Sequence, residues 1–295
     1  MTFPSRRLRA DLLLLLAALL WGSAFVPQKH ATDHLGPFLF NGLRFLLGAA
    51  ILLPWVRPRQ WPSKNFFRWA AITGILLVGA AACQQAGLKY TTAGKAGFLT
   101  GLYVVLVPVV LFAVWRQKMA WRSWAGALVA AVGVFLLSMD DQFRFGLGEA
   151  GLGDALVLVG AVLWAFHVVI VGRAVTQVEV LLFSVGQYLV AGSLNLILGL
   201  ALEADTLPGL AYCWRDIVYI GIFSVAAGYT LQAVGQKHAP AADAAIILSL
   251  EAVFAALFGY LLLKESLGAW QLVGCALILA AVAIVQQYGT RDPAT

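Results

Sequence analysis

Apolar residues run in long blocks along this chain, and charges or turn residues punctuate them. A helix needs about 20 apolar residues to cross the hydrocarbon core of a bilayer. Ten blocks meet that length, at roughly 10–28, 36–56, 67–88, 92–115, 121–139, 152–172, 179–202, 213–236, 240–263 and 268–288. The pattern predicts an all-α integral membrane protein of ten transmembrane helices. The connections between blocks are short, so no soluble ATP-hydrolysing module is expected. The start, "MTFPSRRLRADLLLLLAALLWGSAFV", has the basic-then-apolar order of a secretory signal. Nine more blocks follow it, and it is read as an uncleaved first helix.

The chain is also written twice. "DLLLLLAALLWGSAFV" at 11–26 aligns with "DALVLVGAVLWAFHVV" at 154–169. At an offset of 143, Asp11 meets Asp154, Trp21 meets Trp164, Phe40 meets Phe183 and Arg44 meets Gln187. From the third block the offset is 148: Gln84 meets Gln232, Lys89 meets Lys237 and Gly126 meets Gly274. Matches at Asp, Trp, Gln and Lys, in order, are uncommon by chance in apolar sequence. The expected organisation is a first five-helix repeat at 10–139, a linker loop at 140–151 and a second repeat at 152–288. Five is odd, so the second copy enters the membrane from the other side. Inverted repeats of this kind are common in secondary transporters, with the substrate site near the midplane between the halves.

Composition agrees with a bilayer as solvent. The chain is 61% hydrophobic and 12% charged, against about 45–50% and about 25% for soluble domains. The net charge of +6 reads as loop lysine and arginine rather than nucleic-acid binding. With the N-terminus inside, thirteen basic residues fall on inner loops and span ends and six on outer ones. That bias sets both termini in the cytoplasm and the 140–151 loop outside. Cys83, Cys213 and Cys275 are scattered and give neither a disulfide framework nor metal-ligand spacing. "GLGEAG" at 146–151 matches a dinucleotide fingerprint but follows no strand. No cofactor, metal or catalytic motif is found.

The chain resembles the drug/metabolite transporter superfamily and its ten-helix EamA-type members. The resemblance is carried by "LLWGSAF" in the first block, "RFLLGAAIL" in the second and "LSLEAVFAALFGYLLLKESLGAWQLVGCALILAAVAIV" across the last two. It departs at Gln117, where the second repeat has Glu265, and at Val253, where many relatives keep a proline beside the acid. The resemblance implies export of amino acids, drugs or other metabolites, and is nearest the amino-acid exporters, including the aromatic branch. It also implies that the fifth and tenth helices stand to the side as scaffold.

The candidate site residues are the polar and aromatic groups set deep in the spans. Glu251 lies eleven residues past Pro240, about 16 Å deep at about 1.5 Å per residue. A midplane acid faces a bundle interior or a wet cavity. Its repeat mate is Tyr103. Arg44 is either a substrate ligand or a fixed partner for Glu251. Trp21 and Trp164 are repeat mates that suit cavity walls. His167 shares a helix face with Trp164 and is either a packing group or a proton relay. Gln84, Asn41 and Ser249 supply uncharged hydrogen bonds, which also glue membrane helices together. Gly97-x-x-x-Gly101 suits close helix approach, and Pro108 suits a bend.

The reading is a secondary transporter in the bacterial inner membrane, exporting small organic solutes by alternating access. Amino acids are the leading substrate, protons the candidate coupling ion, and the lipid bilayer the surrounding partner. The rivals are export of drugs or other metabolites, and a membrane-embedded enzyme on a lipid-linked substrate. The enzyme would need titratable groups converging in one pocket, and no such constellation is legible. A single cysteine at Gln142, in a cysteine-free background, should react with an impermeant thiol reagent on intact spheroplasts. Reaction only after lysis would reverse the orientation.

Overall fold

The computed structural model describes residues 6–57, 63–137, 149–264 and 268–289. The 140–151 linker falls almost wholly outside the described residues, as do Gln142 and Glu265. Ten helical segments follow one another: α1 (Arg6–Ala31), α2 (Pro37–Leu52), α3 (Lys64–Leu88), α4 (Ala93–Gly101 continued by Tyr103–Trp115), α5 (Trp121–Leu137), α6 (Glu149–Ala174), α7 (Val180–Leu202), α8 (Leu210–Tyr219, Ile220–Tyr229 and Thr230–Gln236), α9 (Ala241–Leu248 continued by Leu250–Leu263) and α10 (Ala269–Gly289). Eight are long and apolar enough to cross a membrane by themselves, and α5 and α10 are shorter. The ten expected helices are all present.

Side chains set the helix starts. Ser63 Oγ accepts from Phe66 N, and Thr92 Oγ1 accepts from Lys95 N. The Glu179 carboxylate accepts from Leu181 N and Leu182 N at the start of α7. Its repeat mate is Gly36, which has no side chain to cap α2. Glu203, at the far end of α7, takes over and accepts from Phe38 N and Leu39 N at 3.2 and 2.9 Å. A carboxylate at a helix N-terminus satisfies orphan donors and complements the helix dipole. Here the cap also fastens one half of the chain to the other.

Both α4 and α9 are broken near their middles. In α4 Gly101 and Leu102 precede the second segment, and Pro108 removes an amide one turn further on. In α9 the Ser249 hydroxyl donates to Ile246 O, competing with the backbone ladder. The second segment of α4 opens on Tyr103, and that of α9 on Leu250 and Glu251. Both segments end on a non-glycine residue in the left-handed region, Arg116 at φ 51° and Lys264 at φ 55°. Those two residues are again repeat mates, since 116 + 148 is 264.

Pairing between the halves repeats the symmetry. α3 packs on α6 and α8 on α1; α4 packs on α6 and α9 on α1; α2 packs on α7 and α5 on α10. Exchanging the two halves leaves this pattern intact. One close crossing is Gly87 on Gly153, where a Cβ on either would lie 2.6–2.8 Å from the other's carbonyl oxygen. Its repeat counterpart is Gly235, whose added Cβ would meet Ala10 O at 3.1 Å. Gly97 faces α9 with its would-be Cβ 3.1 Å from Ala255, while Gly101 has ordinary room at 3.5 Å. Of the expected small-residue pair, only Gly97 marks a tight approach.

α8 departs from its mate. Ile220–Tyr229 is a π-helix, whereas α3 is α-helical throughout. Wide turns of this kind concentrate at functional sites. Gly228 gives room to Trp21, whose Nε1 donates to Ser224 O in the widened stretch at 3.2 Å.

The crossing yields a prediction. Gly87→Ala forces a Cβ against backbone, and overpacking of this kind costs about 1–3 kcal/mol. Thermal melting in detergent should fall for Gly87→Ala and stay near native for Gly101→Ala. Equal melting of the two would contradict the α3–α6 contact.

Candidate functional site

Between the halves, near the breaks in α4 and α9, lies a narrow cavity of about 30 Å³. Helices α1, α2, α3, α4, α6, α8 and α9 all contribute to its walls, and α5 and α10 do not. Six candidates from the sequence line it: Trp21, Arg44, Gln84, Tyr103, Trp164 and Glu251.

One wall is aromatic. The Tyr229 ring lies 4.8 Å from the Trp21 ring and 5.8 Å from the Trp164 ring, nearly parallel to the latter at 19°. The tryptophans of the two repeats thus flank one tyrosine. They differ in hydrogen bonding: Trp21 Nε1 is bonded to Ser224 O, while Trp164 Nε1 is buried without a partner among the described residues.

Arg44 is 1% exposed and held by its own half of the chain. Its Nε donates to Asn41 Oδ1 at 2.8 Å and its Nη1 to Gln28 Oε1 at 3.3 Å. Its guanidinium sits over Phe45 at 5.0 Å and Phe40 at 5.5 Å. That leaves Nη2 buried with no partner among the described residues. Glu251, 4% exposed, likewise keeps Oε1 without a hydrogen bond, and so does the Tyr103 hydroxyl across from it. The Tyr103 hydroxyl and the Glu251 carboxyl nevertheless face each other closely enough that a small shift completes a hydrogen bond between them. No ion pair joins Arg44 to Glu251 among the described residues, so the fixed pair weighed from the sequence is not made.

Three candidates stand off the cavity. Asn41 serves Arg44 rather than the cavity. His167 lies behind Trp164, ring to ring at 5.6 Å, and bonds Gln187 Oε1 at 3.1 Å. Ser249 is turned back onto its own helix. Gln84 lines the cavity but donates to Thr100 Oγ1 at 2.9 Å.

Seven lining residues were not among the sequence candidates: Phe25, Gln28, Thr100, Val168, Ser224, Tyr229 and Gln232. Gln232 has both amide atoms buried without partners. Its identity with Gln84 across the repeats was a usable signal. Tyr229 sits three residues before it, on the same face, but its own repeat mate is Ala81 and symmetry does not flag it. Ser224 comes to the cavity through the π-helical widening, which no sequence signal announces.

A cavity at the centre of two repeats, walled by broken helices, is the architecture of a membrane transporter. Comparison with known proteins agrees. The EamA-like transporter family matches the chain twice, at residues 8–139 and 151–286. The chain belongs to that family, and so to the drug/metabolite transporters. It is 34% identical over 284 residues to an uncharacterized transporter of Archaeoglobus fulgidus, covering 95% of this chain and 86% of the relative. It is 26% identical over 281 residues to a WAT1-related chloroplastic protein of Arabidopsis thaliana, covering 90% of this chain and 66% of that one. A solved crystal structure shares the fold with a TM-score of 0.77 at 21% identity, covering 97% of this chain and 99% of the other.

Proposed function

We propose that the protein exports zwitterionic amino acids, aromatic ones foremost, from the cytoplasm across the bacterial inner membrane. The observation that carries this is one buried guanidinium and one buried carboxyl in a single cavity. Each has an unpartnered atom: Arg44 Nη2 and Glu251 Oε1. Such atoms are costly to leave unmade in a low-dielectric setting. An amino acid satisfies both at once, its carboxylate on Arg44 and its ammonium on Glu251. The Trp21, Tyr229 and Trp164 rings then face its side chain. The free Trp164 Nε1 and the Gln232 amide supply further hydrogen bonds at the rim.

In this reading Glu251 has a second use. A carboxyl released by the departing ammonium must shed its charge or meet water, and a proton serves that purpose. Alternating access then links solute export to proton entry. The N-terminal face is assigned to the cytoplasm on the bias in basic residues.

Glu251→Gln keeps size and hydrogen bonding and removes the charge. The variant should insert and melt like the native protein, yet lose phenylalanine flux in proteoliposomes. Because no Arg44–Glu251 pair exists to be broken, adding Arg44→Gln should not restore flux. Undiminished flux by Glu251→Gln, or rescue by Arg44→Gln, would contradict the assignment.

A further inference from the structure

Two ion bridges occupy repeat-equivalent places at opposite faces of the bundle. On the face away from the N-terminus, Lys95 Nζ pairs with Asp154 Oδ2 at 2.5 Å, and Thr91 Oγ1 donates to Asp154 Oδ1 at 3.2 Å. This bridge joins the starts of α4 and α6. On the N-terminal face, Arg7 Nε donates to Asp11 Oδ1 and Arg7 Nη2 to Asp243 Oδ2, each at 2.9 Å. This bridge joins the starts of α1 and α9. The offset of 143 carries Asp11 onto Asp154, and the offset of 148 carries Lys95 onto Asp243. The direct Lys–Asp contact of one face would therefore be Asp against Asp on the other. Arg7 reaches between the two carboxylates and turns repulsion into attraction.

The two faces differ elsewhere. On the N-terminal face, the ends of α4, α6 and α8 and the start of α9 surround a solvent-open vestibule of about 820 Å³, with Gly172 in its wall. The repeat mate of Gly172 is Lys29, since 29 + 143 is 172. Lys29 spans from α1 to the end of α3 and donates to Leu88 O at 2.8 Å and Lys89 O at 3.3 Å. On that same side Gly22 of α1 abuts α9, where an added Cβ would lie 2.4 Å from Phe254 Cβ. One face is open, and the other is drawn shut.

A gate contact is broken at the open face and made at the shut one. Lys29 ties one face, and Gly172 at the equivalent place has no side chain to tie the other. The ion bridges do not behave as gates, because both are made in the same state. We infer that Lys95–Asp154 and Asp11–Arg7–Asp243 are pivots, holding α4 to α6 and α1 to α9 while the far ends of those helices part and close. α4 and α6 meet at their starts and both line the vestibule at their ends, where Arg173 lies over the Trp115 ring at 4.4 Å, the contact that further parting would release. Each pivot also joins a cavity tryptophan's helix to that of its facing group, α6 with Trp164 to α4 with Tyr103, and α1 with Trp21 to α9 with Glu251. Arg7 and Lys95 are positioning residues for the cavity, whatever solute it holds.

The test locks a pivot and watches the gate. In a background without Cys83, Cys213 and Cys275, Lys95→Cys and Asp154→Cys are joined by a short bis-thiol reagent. Labelling of Lys29 by an impermeant amine reagent, read by mass spectrometry, reports opening of the shut face without any substrate. A pivot predicts an unchanged Lys29 labelling rate after cross-linking and retained phenylalanine flux. Protection of Lys29 by the cross-link would make the bridge a gate and overturn the inference. Absence of phenylalanine flux in the cysteine-free background that keeps Lys95 and Asp154 would count against the substrate reading alone. On the other face, Arg7→Gln should lower the melting temperature. Arg7→Gln with Asp243→Lys, which copies the Lys–Asp contact of the opposite face, should recover it. No recovery would contradict the equivalence of the two bridges.

Discussion

Hydrocarbon offers no hydrogen bonds, so a polar atom inside the bundle is satisfied by protein or left costly. Most of this interior obeys that constraint. Gln85 Nε2 donates to Gln28 O, Gln236 Nε2 to Val168 O, and Tyr188 pairs with Thr230. These bonds join helices that lie far apart in the chain, and they fix the frame around the centre. At the centre the constraint is relaxed: Arg44, Glu251, Tyr103, Trp164 and Gln232 all keep unpartnered atoms beside one cavity. Seven more such atoms lie off the cavity among the described residues, at Asn41, Gln85, His167, Arg173, Ser184, Asn195 and Gln236, whereas six share the one cavity. Concentrating them is expensive, and the Asn41 and Gln28 contacts to Arg44 show where the frame is built to hold a charge in place.

The frame is nearly twofold symmetric, but the charges are not. Arg44 stands opposite Gln187 in the repeat register, and Glu251 opposite Tyr103. Gln187 is engaged by His167 at 3.1 Å. A symmetric scaffold lets either half play either part in an alternating movement. Single charges in it impose one orientation on whatever enters. That combination suits a solute with a positive and a negative end better than a symmetric or uncharged one. The ends of the bundle follow the same logic. Arg7 corrects the Asp11–Asp243 juxtaposition that duplication and inversion would otherwise create.

The helices were legible because membrane thickness imposes a block length that no soluble fold demands. The duplication was legible at Asp11, Trp21, Gln84 and Lys89, because polar and aromatic residues stand out against Leu, Ala and Val. Local spacing also reached the cavity at Glu251, Tyr103 and Trp164. What sequence could not supply was contact between distant segments. Nothing near Gly36 announces that Glu203 will cap its helix. Nothing near His167 announces that Gln187 will draw it off the cavity. Ser224 and Tyr229 were missed because a π-helix turns different residues inward than an α-helix does. Arg44 and Glu251 were weighed as a bonded pair because each needs a partner. In three dimensions no ion pair joins them among the described residues: Arg44 is held by Asn41 and Gln28, and Glu251 faces Tyr103 of the other half.

The account stands on recognition of both ends of a zwitterion by the separated charges of one cavity. The most direct measurement is calorimetric binding to the purified protein of phenylalanine, phenethylamine and 3-phenylpropionate. The first carries both charges, the second lacks the carboxylate and the third lacks the ammonium. Leaving a buried charge unpaired is heavily penalised. Phenylalanine should therefore bind at least about tenfold more tightly than either analogue, a difference of about 1.4 kcal/mol or more. Equal or tighter binding of either analogue would contradict the account.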